Sequence, residues 1–219
     1  MKLLRNFRYL LGLPKSIYAC FIFCDFKTAL KLPIIMSHKT KLESTSGKIT
    51  FDKAKLGILR IGFGSVETYD FRYQRTLVSI SGHVHCRGKT KIGMGSRISV
   101  EGNLDLGVNF HISAAGTLFV REKVSIGKNV LMAWESIITD TDHHDILDAN
   151  GTVINHAKEI NIGDQVWIGA RAFILKGSYI SNGSIIGAQS LVTGRFDTPH
   201  SLVAGNPAKL IKSDVFWKE

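Results

Sequence analysis

Between Thr139 and His156 the chain gathers His143, His144 and His156 with Asp140, Asp142, Asp145 and Asp148, three of its eight histidines and four carboxylates in one short span. A neutral imidazole accepts a proton near neutral pH because its ordinary pKa is close to 6.5. A neighbouring carboxylate can orient the ring and stabilise the imidazolium that forms. Such a group suits general-base removal of a proton from a hydroxyl or an amine. The alternative is a polar surface loop with incidental histidines. Cys20, Cys24 and Cys86 offer no rival nucleophile: none sits beside a His and an Asp, and three thiols cannot all pair within one chain. They read as small buried hydrophobes of a reducing compartment.

What positions these residues is a repeat. An aliphatic residue recurs every six positions as Ile162, Ile168, Ile174, Ile180, Ile186 and Val192, and Val166, Ala172, Ser178, Ser184 and Ser190 follow most of them at an offset of four. The period appears upstream as Ile80, Cys86, Ile92, Ile98, Leu104 and Phe110, and resumes as Ile126, Met132 and Ile138 after a slip of about four residues. Six fits neither the 3.6 of an amphipathic helix nor the irregular turn spacing of an antiparallel sandwich. It fits a triangular coil, three short strands to a turn, whose turns stack as parallel sheets with the aliphatics in columns. The fold class expected is mainly β, a parallel β-helix over residues 49–212, interrupted by an inserted loop at 139–160 and followed by a tail at 213–219. The period does not set the hand of the coil. Residues 1–48 lack the repeat and are expected to cap the open end, with one short helix around Leu3–Leu11 and irregular structure to Leu42, because a bare end exposes unpaired strand edges.

With 44% hydrophobic and 21% charged residues the 219-residue chain has an ordinary globular composition, which excludes disorder and collagen. Its net charge of +10 is uneven: residues 1–60 hold 12 Lys and Arg against 3 Asp and Glu, and the remainder is nearly balanced. Phe7, Leu10, Leu11, Ile17, Tyr18, Phe21 and Phe23 share that basic segment. It is therefore either a surface that rests on anionic lipid or a packed cap with a solvated basic face. Lys15, Asp25, Lys27 and Lys31 interrupt the only apolar region near the length of a membrane span, and no small-residue cleavage site accompanies Phe7 to Phe26. A cytoplasmic protein, at most peripheral at the inner face of a membrane, is expected. No recognition helix, zinc finger or RNA-binding signature accompanies the charge, which argues against nucleic acid.

Four segments carry a resemblance: Asp140-Thr141-Asp142-His143-His144, Ile162-Gly163-Asp164-Gln165-Val166-Trp167-Ile168-Gly169, Ile186-Gly187-Ala188-Gln189-Ser190-Leu191-Val192-Thr193 and Val203-Ala204-Gly205-Asn206-Pro207-Ala208-Lys209-Leu210-Ile211-Lys212. In order and spacing the chain resembles the hexapeptide-repeat acyltransferases, particularly the sugar O-acetyltransferases of galactoside, maltose and surface-polysaccharide type. The likeness thins before residue 120, although Ala29 to Ile35 looks like the N-terminal segment of polysaccharide-linked members. It implies a left-handed coil, a homotrimer with active sites between subunits, and acetyl transfer from acetyl-CoA with no metal and no acyl-enzyme.

The Asp-x-Asp-x-His run of that family implies His144 as the base, with His143 the alternative if the loop is shifted by one residue; Asp142, Asp140 or Glu135 then orients the ring. The Ala170 N–H is implied as the donor to the oxyanion. Coenzyme A is implied along the groove between neighbouring coils, with Ala170, Ala188 and Thr193 against its pantetheine arm, Trp167 and Gly169 beside it, and Lys209 and Lys212 at its phosphates. Trp167 alternatively fills a corner. Trp134, Glu135, Asp140, Asp142, His143 and His111 are expected at the acceptor, a sugar hydroxyl of a surface polysaccharide precursor. Gly205-Asn206-Pro207 reads as a turn that sends the tail back over the coil. Two other readings stand beside this one: a zinc enzyme of the γ-carbonic-anhydrase kind, drawing on His83, His85, His111, His143, His144 and His156, and a non-enzymatic scaffold.

Overall fold

The computed structural model describes residues 2–64, 66, 69, 70 and 73–218, and for residues 2–7 the backbone alone. Short strands form one sheet of nine and two of seven, and each sheet takes every third strand of the chain. The chain therefore winds face to face around a triangular prism. All pairings between named strands are parallel except the last, where Leu202–Gly205 meets Ala208–Lys212 in a hairpin. The nine-stranded sheet is the first face; the second begins with Lys41–Leu42 and the third with Lys48–Phe51.

Ile162, Ile168, Ile174, Ile180, Ile186 and Val192 are all buried. They pair eighteen residues apart, Ile162 with Ile180, Ile168 with Ile186 and Ile174 with Val192. Upstream the turns differ from the expectation. Ile98 pairs with Leu118 and Leu104 with Val124, twenty residues apart, so Ile80 lies against Val100 and not against Ile98. The two extra residues belong to the corner between the second and third faces, where a four-residue strand buries two side chains, as Thr117–Val120 buries Leu118 and Val120. The spacing from Ile80 to Phe110 thus marks successive buried residues and not a closed turn, and no four-residue insertion separates the blocks.

Corners turn through left-handed backbone, with Asn109, Asn129 and Gln165 at φ 61, 55 and 53 on one edge and Ala115, Glu135, Arg171 and Gln189 at φ 49, 59, 59 and 58 on another. Each turn offsets that strain by bonding the one before: Gln165 N–H donates to Lys128 O at 2.7 Å and Arg171 N–H to Trp134 O at 3.0 Å. The rise leaves no room for extra atoms at these contacts. A Cβ at Gly93 would lie 2.0 Å from Ser113 O of the next turn.

The coil begins at Ile34–Met36, paired with Leu59–Ile61, so it starts earlier than residue 49. The cap is a single helix, Lys2–Phe23, and not a short one around Leu3–Leu11, followed by the short helix Phe26–Ala29. Gly12, Ser16, Ala19, Cys20 and Phe23 form its packed face. A Cβ at Gly12 would meet Met36 O at 2.1 Å, so the two backbones touch. Ser16 Oγ accepts from Met36 N–H at 2.9 Å, and Cys20 Sγ lies 3.4 Å from Ile34 N. Side chains of the helix thereby satisfy the outer edge of the first strand, which would otherwise be free to pair. That contact carries the helix through Pro14, where propensity alone would end it.

Candidate active site

The regular coil stops at Ile137–Thr139 and resumes at Ile160–Ile162, on the corner between the second and third faces. Residues 140–159 project there as a finger, narrowed by an antiparallel bridge between Leu147 and Val153. At its tip Asp148 Oδ1 accepts from the N–H groups of Asn150 and Thr152 at 2.8 and 2.9 Å. Ile146, Leu147 and Ile154 are exposed along it.

Asp140 roots the finger. It follows the Phe119–Thr139 pair and so takes the position opposite Val120, an inward one, and it is fully buried. Its carboxylate accepts three hydrogen bonds at 2.8 Å, from the backbone N–H groups of Arg121, Glu122 and Lys123. Three main-chain donors are what make burial of a carboxylate tolerable. They leave it no face for a substrate or an imidazole, which corrects its expected role as acceptor contact or ring partner.

Asp142 is also committed, though at the surface. Its Oδ2 accepts from the Lys176 ammonium and from Asn155 Nδ2, the latter at 2.9 Å. Lys176, and after it Asn155, hold this carboxyl below the usual carboxylate range. Asn155 ties both arms of the finger, donating to His144 O at 2.8 Å and accepting from Ile146 N–H at 2.7 Å. Lys176 adds a bond to Asn155 O at 2.7 Å. Asp142 therefore braces the loop and does not hold the His144 ring. Among the described residues His144 is bonded only through its backbone, its N–H to Asp142 O at 2.8 Å and its carbonyl to Asn155. His143, at φ 68, sets its ring edge-on to Phe119 with centroids 4.0 Å apart.

Trp134, Glu135, Ala170 and Ala188 lie on a different corner, between the first and second faces. Trp134 is 41% exposed. Glu135 bonds Arg171 Nε at 2.5 Å and the Tyr69 hydroxyl; Tyr69 first, then Arg171, lower its carboxyl, so it too is engaged and does not orient His144. Burial, with help from Glu135, pushes the Tyr69 hydroxyl up to about 12. Ala170 and Ala188 follow Trp134 on successive turns. Their N–H groups meet no acceptor among the described residues, whereas Arg171 and Gln189 beside them bond the turn before. A Cβ at Gly169 would lie 2.6 Å from Ala188 N, so only glycine fits. The strand Ile137–Thr139 separates this corner from the finger, and within one chain the two sets are not brought together.

Thr193 is exposed on the second face, and Lys209 and Lys212 are exposed on the closing hairpin, whose turn is the expected Gly205-Asn206-Pro207. The tail returns across the first face, where Trp217 Nε1 donates to Gln165 O at 2.8 Å and its ring lies 6.1 Å from Trp167. Trp167 keeps 38% of its surface exposed. His111 stands on the first face, in a cavity beside the N-terminal helix.

Lys176, Asn155, Arg171 and Tyr69 are not found by reasoning from sequence. A polar residue at a repeat corner is ordinary, and only the 19% exposure of the Lys176 side chain marks it out. Among the described residues no group of three or more His, Cys, Asp and Glu could hold a metal ion. His83 and His85 are instead joined through Thr50 Oγ1 at 2.8 and 2.9 Å, and His85 pairs with Asp52 at 2.8 Å. Burial pushes the Cys24 and Cys86 thiols up to about 12 and raises Cys20, which keeps all three protonated and poor nucleophiles.

No family model matches the sequence. The chain is 32% identical over 194 residues, 88% of its length and 85% of the relative's, to an "uncharacterized 24.8 kDa protein in cps region" of Klebsiella pneumoniae. It is 38% identical over 102 residues to the polysialic acid O-acetyltransferase of Neisseria meningitidis, a stretch that spans 46% of this chain and 47% of that one. Among solved structures, the polySia-specific acetyltransferase NeuO superposes with a TM-score of 0.57 at 24% identity, covering 85% of this chain and 76% of its own. The polysialic acid O-acetyltransferase OatWY gives 0.53 at 23%, covering 85% and 90%. The shared fold is the left-handed parallel β-helix.

Proposed function

We propose that the chain is a hexapeptide-repeat acyltransferase that transfers an acetyl group from acetyl-CoA to a sugar hydroxyl of a surface polysaccharide precursor, a reading supported by the shared coil and by the stretch similar to a polysialic acid O-acetyltransferase. The observation that carries the reading is the finger itself: Asp140 locks its root, Lys176 and Asn155 brace its arms, and the backbone of His144 is tied at that brace while its imidazole is left uncommitted. The fixed main chain sets where the ring can reach, and its nitrogens are free to take a proton from a hydroxyl brought within hydrogen-bond distance. His143 is turned onto Phe119, which favours His144 of the two.

In this mechanism neutral His144 takes the proton of the acceptor hydroxyl as its oxygen attacks the thioester carbonyl. The tetrahedral oxyanion forms against the Ala170 N–H. Collapse breaks the carbon–sulfur bond, and the departing thiolate takes the proton back from the imidazolium. Ala170 stands on another corner from His144, so the site is completed by a second copy of the chain: the finger of one subunit meets the Ala170 corner of its neighbour in a cyclic trimer. The exposed Ile146, Leu147 and Ile154 give that contact apolar area. Coenzyme A lies along the same corner, past Gly169 and Ala188, reaching Trp167 on the first face and Thr193 on the second, with Lys209 and Lys212 at its phosphates. Trp134 shapes the acceptor end of the groove. The acceptor class rests on the relatives, one named for polysialic acid and one for a cps region. A cytoplasmic location, with the basic N-terminal segment against the inner face of a membrane, completes the reading.

The test is transfer of labelled acetyl from acetyl-CoA to a panel of saccharides, sialic acid polymers among them. Label is expected in saccharide and is expected to leave it in mild alkali, as an ester does. Label in none of them, or label that survives alkali, contradicts O-acetyl transfer. Sedimentation is expected to give the mass of three chains, and a fully active monomer contradicts the shared site.

A further inference from the structure

The N-terminal helix is apolar on both sides. Its packed face is described above; on the opposite side Leu10, Leu13, Ile17, Tyr18, Phe21 and Ile22 are each at least 38% exposed. Between Tyr9 and Cys24 the only charged residue is Lys15, and its ammonium turns inward to the carbonyls of His38, at 2.6 Å, and Thr40. No described helix is long and apolar enough to cross a membrane. A helix that is hydrophobic all round is ordinarily covered on all sides.

Beside this helix lies a cavity of about 1110 Å³ against the first face. Arg8, Arg60, Lys91 and His111 line it, and none of its described lining residues is acidic. Arg60 pairs with Lys91 and Lys91 with His111 on adjacent strands, roughly 4.8 Å from rung to rung. Arg60 Nε donates to Gly57 O at 3.1 Å and its guanidinium lies 5.9 Å from the centroid of the Tyr9 ring; neither contact neutralises its charge, and the Arg60 and Lys91 cations facing each other across the sheet repel. Leu10 and Leu13 belong both to the cavity wall and to the exposed helix face, and Leu56, 71% exposed, stands at its rim. Exposed Lys27 and Lys31 follow the end of the helix.

We propose that this surface docks on a bilayer of anionic phospholipid, the helix lying in the head-group boundary and the cavity receiving a lipid phosphate whose chains run past Leu10 and Leu13. The inference deepens the membrane contact proposed above and is independent of the acetyl transfer. Charge decides the occupant. A second copy of this chain would bring the same excess of 12 basic over 3 acidic residues in positions 1–60 to the contact and be repelled. An anionic lipid surface meets both the cations and the apolar face.

Flotation of the intact protein with phosphatidylcholine vesicles, with and without phosphatidylglycerol, at about 0.1 M salt tests it. Binding is expected to the anionic vesicles alone. Arg60→Glu with Lys91→Glu, both exposed side chains, is expected to weaken binding roughly tenfold or more and to leave acetyl transfer to a soluble saccharide unchanged. Phe21→Asp is expected to abolish the part of the binding that persists in high salt. Wild type that does not float overturns the membrane contact and this site together. Flotation unaffected by the double charge reversal overturns the cavity while the membrane contact stands. An assembly larger than the trimer that Phe21→Asp dissolves, without vesicle binding, overturns the proposal in favour of a second copy. Intact flotation in a protein without transferase activity upholds this surface and counts against the transferase reading alone.

Discussion

Two carboxylates two positions apart in one loop end in different surroundings, and the difference decides what their removal does. Asp140→Ala leaves three partly buried main-chain N–H groups without an acceptor. Orphaned donors cost about 1–3 kcal/mol each, so a loss of about 3–5 kcal/mol in urea unfolding is expected once partial rescue by water is allowed for. A variant as stable as the wild type contradicts the anchoring role. Asp142 acts through charge. Its folded pKa lies below its unfolded value, so the contribution of its ion pair is present above the ordinary carboxylate range and is lost as pH falls through the lower folded value. Hydrogen exchange in the finger is expected to be steady from neutral pH down to about 4 after correction for intrinsic rates and to rise below it. Lys176→Met is expected to loosen the finger at neutral pH and to slow turnover by about tenfold. Wild-type exchange in that variant contradicts the brace.

Elements place the remaining groups. The closing hairpin presents Lys209 and Lys212 on one strand. If they hold the phosphates of coenzyme A, Lys209→Glu with Lys212→Glu raises KM for acetyl-CoA by roughly tenfold or more with little change in kcat. The effect is expected to vanish with acetyl-pantetheine as donor; an equal effect on both donors contradicts the assignment. The hairpin turn is readable from Gly205-Asn206-Pro207, and the repeat from Ile162 to Val192 is readable because three six-residue units there close each eighteen-residue turn. Upstream the two extra residues fall between Val120 and Val124, both buried valines, and the hydrophobic pattern passes over the corner without a break. The length of the N-terminal helix is hidden for another reason: Pro14 and Lys15 look like an end, and the fit of Gly12, Ser16 and Cys20 to the edge of Ile34–Met36 exists only in three dimensions.

At the scale of the molecule, the prism separates its tasks by corner and by end. The finger leaves one corner, the row of Trp134, Ala170 and Ala188 lies along another, and the basic N-terminal end is far in sequence from both. Which corner a residue falls on depends on the count of residues in every preceding turn, so the separation of Glu135 from His144 and the capture of Glu135 by Arg171 and Tyr69 are not legible in the motif that names them. The motif does make the finger and its histidines legible, since a regular coil has no structural need for an insertion at that point. The most direct test is acceptor-dependent release of the coenzyme A thiol from acetyl-CoA by wild type and His144→Ala of equal thermal stability and equal mass in solution. Release is expected to fall by roughly 10²–10⁴-fold in the variant; release at the wild-type rate contradicts His144 as the base, and no release by the wild type with any saccharide contradicts the transferase itself.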